Sequence, residues 1–298
     1  MNVLLDLVVG TLTQGLIYSL ISFGIFITYR ILDFPDLSVD GSFPLGAAVT
    51  AVLLTRGVDP FLTLPIAVLV GAAAGLCTGL IHVKVKVRDL LAGIITMTAL
   101  FSINLQIAGS NLTVDRGTAT IFTSPATLAL FGSVPLLYRK LIVSFIIVLL
   151  LKLILDAFFR TKCGLLLTAV GDNETLVTSL AVDKGRMKIL GLVISNAFVS
   201  LAGALVCHEQ RSFSATMGTG QMVFGLAAVI IGTTIFRKLD RVRGTTAVIV
   251  GSVIYKACIQ AAISLGLPAN LLKLITAVLF LVILAIGTMR EKGGAANA

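Results

Sequence analysis

Apolar residues dominate this chain in long uninterrupted runs, neither alternating as in a half-buried strand nor confined to one stripe as in a soluble helix. Crossing the hydrocarbon core of a bilayer takes about 20 predominantly apolar residues in a helix. Runs of that order extend from Leu4 to Tyr29, Pro60 to Val83, Leu90 to Ala108, Lys140 to Phe158, Ile189 to Cys207, Met222 to Phe236, Thr245 to Ser264 and Ala269 to Thr288. Pro44 to Leu54 is too short to cross comfortably. The pattern predicts an all-α, polytopic transmembrane bundle of about eight to ten helices, one of them short and broken or re-entrant. Gly71, Gly75 and Gly79 form a ladder of small residues that lets helices approach closely. Met1 to Lys292 reads as one membrane domain and Gly293 to Ala298 as a flexible tail. Asp6 interrupts the first apolar run and no basic region precedes it, so that run is expected to remain as a span.

Composition supports lipid as the solvent. Of 298 residues, 57% are hydrophobic and 12% charged, against about 25% charged in an average soluble domain. That excludes a soluble cytosolic enzyme, a nucleic-acid-binding domain and a disordered regulator, in spite of a net charge of +9. The charge has a topological reading. Lys84, Lys86 and Arg88, then Arg160 and Lys162 with Lys184, Arg186 and Lys188, then Arg237, Lys238, Arg241 and Arg243, and finally Arg290 and Lys292 fall on one side if the spans alternate. That side is the cytoplasm by the positive-inside rule. Arg139 and Lys140 fall on the other side and conflict with the scheme. Cys77, Cys163, Cys207 and Cys258 show neither zinc-site nor disulfide spacing and read as small packing residues.

Three features carry candidate chemistry. Between Tyr29 and Gly46, Asp33, Asp36 and Asp40, together with Pro35, Pro44 and two glycines, interrupt apolar sequence. Proline opposes a continuous helix through Phe34 and Phe43, and irregular backbone at membrane depth is tolerated where it is buried in protein or lines a watery cavity. One reading is a broken helix on a substrate path, with Asp36 or Asp40 meeting a cation or holding backbone amides. The other is a hydrated interfacial loop in which Ser38 or Asp40 caps the next helix. Both stay open at this point.

The second feature lies in the connection from Arg160 to Lys188. There Gly171-Asp172-Asn173-Glu174 is a helix-start signal, followed by apolar Leu176, Val177 and Leu180 and a stop at Gly185. Such a helix suits a groove on a cytosolic partner or the membrane surface. Third, Asn104, Ser195, Asn196, Lys256 and Gln260 lie inside spans, where they hydrogen-bond neighbouring helices or face a pore. His208 and Glu209, at an outer helix end, are expected to be hydrated rather than metal-binding. The two halves also echo one another loosely, Gly15 to Ala48 and Gly191 to Ala228 each having a long apolar helix, a polar break and a Gly-rich run. No GxxxxGK[ST], GxSxG or HExxH pattern occurs, so the chain has no P-loop for ATP, no nucleophile elbow and no zincin helix.

Gly15-Leu16-Ile17-Tyr18-Ser19-Leu20 through Gly24, Asp33-Phe34 and Gly46-Ala47 together resemble the first helix and following break of ABC importer permeases of the branched-chain amino acid and ribose permease superfamily. Thr96 to Leu100 resembles the start of their mid-chain helix, and Thr161 to Asn173 is similar to their coupling loop. Phe34-Pro35-Asp36-Leu37-Ser38-Val39-Asp40-Gly41-Ser42 looks like the branch associated with tryptophan- and tyrosine-type binding proteins. It departs from the branched-chain pattern of Asn-Phe-Ala followed by His or Gln and Gly.

The resemblance implies a noncatalytic permease subunit, pairing with a second copy in the bacterial cytoplasmic membrane. It also implies two cytosolic ATPase subunits that hold the ATP and Mg²⁺, with no cofactor on this chain, and an extracytoplasmic binding protein that delivers an amino acid, aromatic by this branch. Phe34, Asp36, Ser38, Asp40, Ser42, Asn104 and Asn196 would line the substrate pathway. Gly171, Asp172, Asn173, Glu174, Leu176, Leu180 and Asp183 would couple to the ATPase. Two alternatives remain: an ion-coupled secondary transporter using the Asp33 to Asp40 acids and Lys256 as a relay, and a membrane-embedded transferase holding Mg²⁺ at the same acids.

Overall fold

The computed structural model describes residues 3–172, 183–236 and 243–265, together with 274, 276–278, 281 and 282. Its elements are α1 (Val3–Ile25), a π-helical turn (Phe26–Ile31), α2 (Val39–Thr55), α3 (Pro60–Val83), α4 (Asp89–Ala108), β1 (Asn111–Thr113), α5 (Pro125–Phe131), α6 (Leu136–Phe158), α7 (Lys162–Asp172), α8 (Lys184–Gln210), β2 (Ser212–Ser214), α9 (Gln221–Ile235) and α10 (Gly244–Ser264). Six of the described helices are long and apolar enough to cross a membrane: α1 with its π-turn, α3, α4, α6, α8 and α10. Leucines and isoleucines stand exposed along α3, α4 and α6, among them Leu69, Ile95, Leu150, Leu153 and Ile154. A surface of that kind is stable against lipid or another apolar face, not against water.

The bundle is built around α8, in which Ser195, Asn196 and every residue from Phe198 to His208 are buried. The glycine ladder of α3 faces it. A Cβ on Gly71, Gly75 or Gly79 would press on the α8 backbone at Asn196, Leu192 and Ile189 respectively. Helix backbones therefore touch where a larger residue would hold them apart, the close packing expected when lipid supplies no hydrophobic drive between helices.

Two elements are half-length. α2 runs beside the outer half of α8, from Ser42 at Asn196 to a cluster of Ala47, Ala51 and Leu54 with Cys207. α9 packs instead on α1 and α10, with Gly225 against Ile21 and Ile25 and Gly232 in close approach to Ala247. The run Met222 to Phe236, read as a full span, is thus a half-span that begins at mid-depth. The loose echo between the halves corresponds to a long helix, a break and a half-length helix occurring twice. The C-terminal run from Ala269 to Thr288 lies largely outside the described residues.

Several boundaries differ from the sequence reading. α2 starts at Val39 and passes through Phe43 and Pro44. A proline six residues into a helix removes one hydrogen bond, here to the Asp40 carbonyl, and leaves the rest intact. The break is confined to residues 32–38. α8 starts at Lys184, so Gly185 begins a helix rather than stopping one: the Asp183 carboxylate accepts from the Gly185 and Arg186 amides at 2.9 and 3.4 Å. Gly171 and Asp172 are the last residues of α7, and the helix expected to start there and run through Leu176 and Leu180 lies outside the described residues.

At the outer end, β1 and β2 pair antiparallel with Leu112 opposite Phe213. Here the exceptions to the charge rule find their cause. Arg139 donates to the carbonyls of Phe131, Gly132 and Val134, closing α5. Lys140 pairs with Glu209 at 3.1 Å, and Arg211 holds the Asp115 and Thr118 carbonyls. These cations are structural ligands for carbonyls. His208 is fully buried rather than hydrated, its Nε2 lying 2.8 Å from the Thr63 hydroxyl. Of the cysteines, all free, only Cys207 is buried, so the packing role expected of all four holds within this chain for that one.

Candidate functional site

The chain leaves the first span through the π-turn, a wide turn that recurs at functional sites. The Phe34 amide donates to the Thr28 carbonyl at 2.8 Å, and Asp33 takes a left-handed φ of 51°, which a short polar side chain tolerates best among non-glycine residues. Phe34 is then driven inward, 2% exposed, edge-on to the His82 ring.

Beyond Phe34 the polar residues close into a buried network. Asp36 Oδ1 accepts from the Ser38 amide at 2.9 Å, capping α2. Its Oδ2 accepts from Asn196 Nδ2 at 2.9 Å. Asn196 Oδ1 in turn accepts from the hydroxyls of Ser38 at 3.1 Å and Ser42 at 2.6 Å. Asn196, Ser38 and Ser42 are wholly buried and Asp36 is 2% exposed. Gly93 of α4 allows close approach to this turn, since a Cβ there would lie 2.8 Å from the Leu37 nitrogen.

Asp40 performs a second capping task across the bundle. Its Oδ2 accepts from the Gly220 amide at 2.9 Å and its Oδ1 from the Met222 amide at 2.8 Å. Those are orphan donors at the start of α9, and a carboxylate there is favoured by the helix dipole. Gly220 has a φ of 87°, a conformation that glycine reaches without a steric cost. Two half-length helices thus begin beside one another, each N-terminus held by an aspartate, that of α2 by Asp36 of the break and that of α9 by Asp40 in the first turn of α2. Asp40→Asn keeps one acceptor oxygen and loses the charge. It is expected to cost about 1–2 kcal/mol, read as faster hydrogen exchange at the Gly220 and Met222 amides.

The seven proposed pathway residues therefore fall into three groups. Asp36, Ser38, Ser42 and Asn196 form the network. Asp40 and Asn104 lie in the wall of a cavity of about 300 Å³ bounded by α2, α4 and the segment before α9. Phe34 packs toward the basic end. The sequence reading missed Met97, Thr98, Phe101 and Thr219 of the cavity wall, and the amides of Gly220 and Met222. The signal for the last two was the glycine-rich Met217-Gly-Thr-Gly-Gln221, which marks a tight approach.

Of the coupling residues, Gly171 packs against the π-turn, where a Cβ would collide with the Ile31 carbonyl oxygen, and Asp183 caps α8 at an exposed position. Asp172 ends α7. Asn173, Glu174, Leu176 and Leu180 lie outside the described residues. Leu167 and Val170 bury α7 against the bundle, at 0% and 1% exposed.

The arrangement offers little to the two alternatives. Asp33 is exposed, Asp36 buried in its network and Asp40 turned to α9. Among the described residues no three His, Cys, Asp or Glu side chains gather as a metal's ligands. The Lys256 ammonium lies 3.3 Å from the Tyr18 ring centroid and 5.3 Å from that of Phe224, a cation–π seat. It forms no ion pair with the three aspartates.

The chain is 41% identical over 285 residues to the tyrosine transport system permease protein of Clostridioides difficile, covering 95% of this chain and 92% of that one. It is 27% identical over 243 residues to the ribose import permease protein RbsC of Haemophilus influenzae, covering 80% and 73%. It is also 27% identical over 236 residues to the probable branched-chain amino acid transport permease protein LivH of Methanocaldococcus jannaschii, covering 74% and 73%. No solved structure matches the chain. Residues 7–284 match the family described as branched-chain amino acid transport system, permease component. That match takes in every span, both half-helices and the aspartate-capped break, and the chain belongs to this family of multi-pass membrane permeases.

Proposed function

We propose that this permease is the membrane subunit of an ATP-binding-cassette importer for an aromatic amino acid, working as a homodimer. In this reading two cytosolic ATPase subunits bind ATP and Mg²⁺ and an extracytoplasmic binding protein delivers the solute. The observation that carries it is the 41% identity, maintained over nearly the full length of both chains, to a tyrosine transport permease. The geometry is compatible with ATP-driven gating. α7, on the side of the basic clusters, rests on the π-turn through Gly171, and the π-turn leads directly into the break. A movement of α7 imposed by a partner would therefore reach the half-helix junction through a short packed path, biasing one arrangement of the bundle against another.

The test is reconstitution of the full chain with the ATPase and binding protein encoded beside its gene. Tyrosine and tryptophan uptake should require all three proteins and ATP, and should exceed uptake of leucine and of ribose. Uptake driven by an ion gradient without the ATPase would select a secondary transporter instead. In the same assay Leu176→Asp and Leu180→Asp should lower uptake about tenfold, equivalent to about 1.4 kcal/mol of lost coupling, with the protein still in the membrane. Undiminished transport in both would remove this segment from the coupling role.

A further inference from the structure

The cavity between α2, α4 and the segment before α9 has a wall in which hydrogen-bond acceptors outnumber donors. Asn104 sits in that wall and is fully buried. Its Nδ2 donates to the Gly41 carbonyl at 3.1 Å. The amide orientation is thereby fixed, because the reverse would set two acceptors face to face. The remaining atom, Oδ1, is a buried acceptor with no donor among the described residues. Buried acceptors in native proteins are almost always satisfied, and an exception calls for a missing partner.

Asp40 is the second acceptor. The Gly220 and Met222 amides occupy one site on each of its oxygens and the Gln221 amide also faces it, whereas a carboxylate offers about four sites. Thr98 has already spent its hydroxyl proton on the Ile94 carbonyl at 2.8 Å and faces any ligand as an acceptor. Thr219 adds one hydroxyl that can donate or accept, and no Lys, Arg or His is in the wall to hold an anion. A sugar hydroxyl both donates and accepts, and a ligand carboxylate only accepts. An ammonium has three donors and no acceptor and matches this wall. Met97 and Phe101 supply the apolar remainder, and about 300 Å³ is at the lower end of small-molecule sites.

We propose that this cavity is a binding site for a primary ammonium carried on a small apolar or aromatic body, with Asn104 and Asp40 as its acceptors. The inference rests on, and deepens, the reading of the chain as an amino-acid permease. It assigns the amino end of the solute to this wall.

The test uses the full chain, purified with its ATPase, in a background where Cys77, Cys163, Cys207 and Cys258 are replaced and Thr98→Cys reports occupancy by its rate of maleimide labelling. The probes are tyramine, which has the ammonium and no carboxylate, and 3-(4-hydroxyphenyl)propionate, which has the reverse. Tyramine is expected to slow labelling and the acid is not. Asn104→Leu should weaken protection about tenfold, and Asn104→Asp, which restores an acceptor, should retain it. Labelling rates of each variant without probe show that the site is still folded. Equal protection by both probes, protection by neither, or full protection in Asn104→Leu would overturn the site. Tyrosine uptake is measured in parallel. Uptake without tyramine protection removes the site and leaves the importer reading, whereas protection without ATP-driven uptake removes the importer reading and leaves the site.

Discussion

Gly171→Val is expected to lower ATP-driven uptake about tenfold or more while leaving the chain in the membrane. Gly171 is the next-to-last residue of α7, and a Cβ there would collide with the carbonyl oxygen of Ile31, the last residue of the π-turn. That obstacle is backbone. It cannot rotate aside as a long side chain would, and its position is set by the ladder of the π-turn itself. The end of α7 must lift away, taking Val170 and Leu167 with it, both fully buried against the bundle. Full exposure of either would cost about 1.5–3 kcal/mol, so the helix should partly undock. In the proposed importer an undocked α7 would still touch the ATPase but would no longer push on the break. ATP hydrolysis should therefore persist and cease to respond to the loaded binding protein. Gly10→Val is the control, since a Cβ at Gly10 has no atom within 4 Å. Uptake by Gly171→Val within about twofold of the unaltered protein would remove the contact from the transmission path, a twofold change being only about 0.4 kcal/mol.

The placement of that contact also shows where sequence reading succeeds and stops. The spans were legible because a bilayer demands apolar length, and Pro60–Val83 coincides with the expected run to the residue. Their ends were less so. α8 starts among Lys184, Arg186 and Lys188, five residues before the apolar run, because hydropathy reports depth in lipid while helix starts are set by caps such as Asp183. The break was legible as a break from Pro35 and its acids, yet the tasks of those acids were not. Asp36 answers to Asn196, 160 residues away, and Asp40 to Gly220, 180 residues away, and no local pattern encodes such partners. The π-turn has no composition of its own. The half-length nature of α9 was hidden for a different reason: a buried half-helix is as apolar as the edge of a full span.

Asn196→Leu is expected to be the most destabilising single change at the break. Leucine has the same branching and the same number of heavy atoms but is the bulkier side chain, so overpacking adds to a loss that is mainly polar. Asn196 holds Asp36 Oδ2 with its amide and receives Ser38 and Ser42 with its carbonyl. Leucine does none of this and leaves one carboxylate oxygen and two hydroxyls facing an apolar group in a fully buried place. Unsatisfied buried groups cost about 1–3 kcal/mol each. With some relaxation, a net loss of about 4 kcal/mol follows, or roughly 6 °C in melting temperature for a chain of this size. The chain has no tryptophan, so unfolding is best followed by helical circular dichroism in detergent. The double change Asn196→Leu with Asp36→Leu removes the stranded carboxylate together with its partner. It should be less destabilising than the sum of the two single changes by about 1–3 kcal/mol, the range of coupling found between residues in one network. A single change that left the melting temperature within about 2 °C of the parent, or strict additivity in the double change, would mean that Asp36 is held by the Ser38 amide alone. The half-helix junction would then owe its rigidity to Asp40 and to the glycine contacts of α2 with α8, rather than to a polar lock between the two halves of the chain.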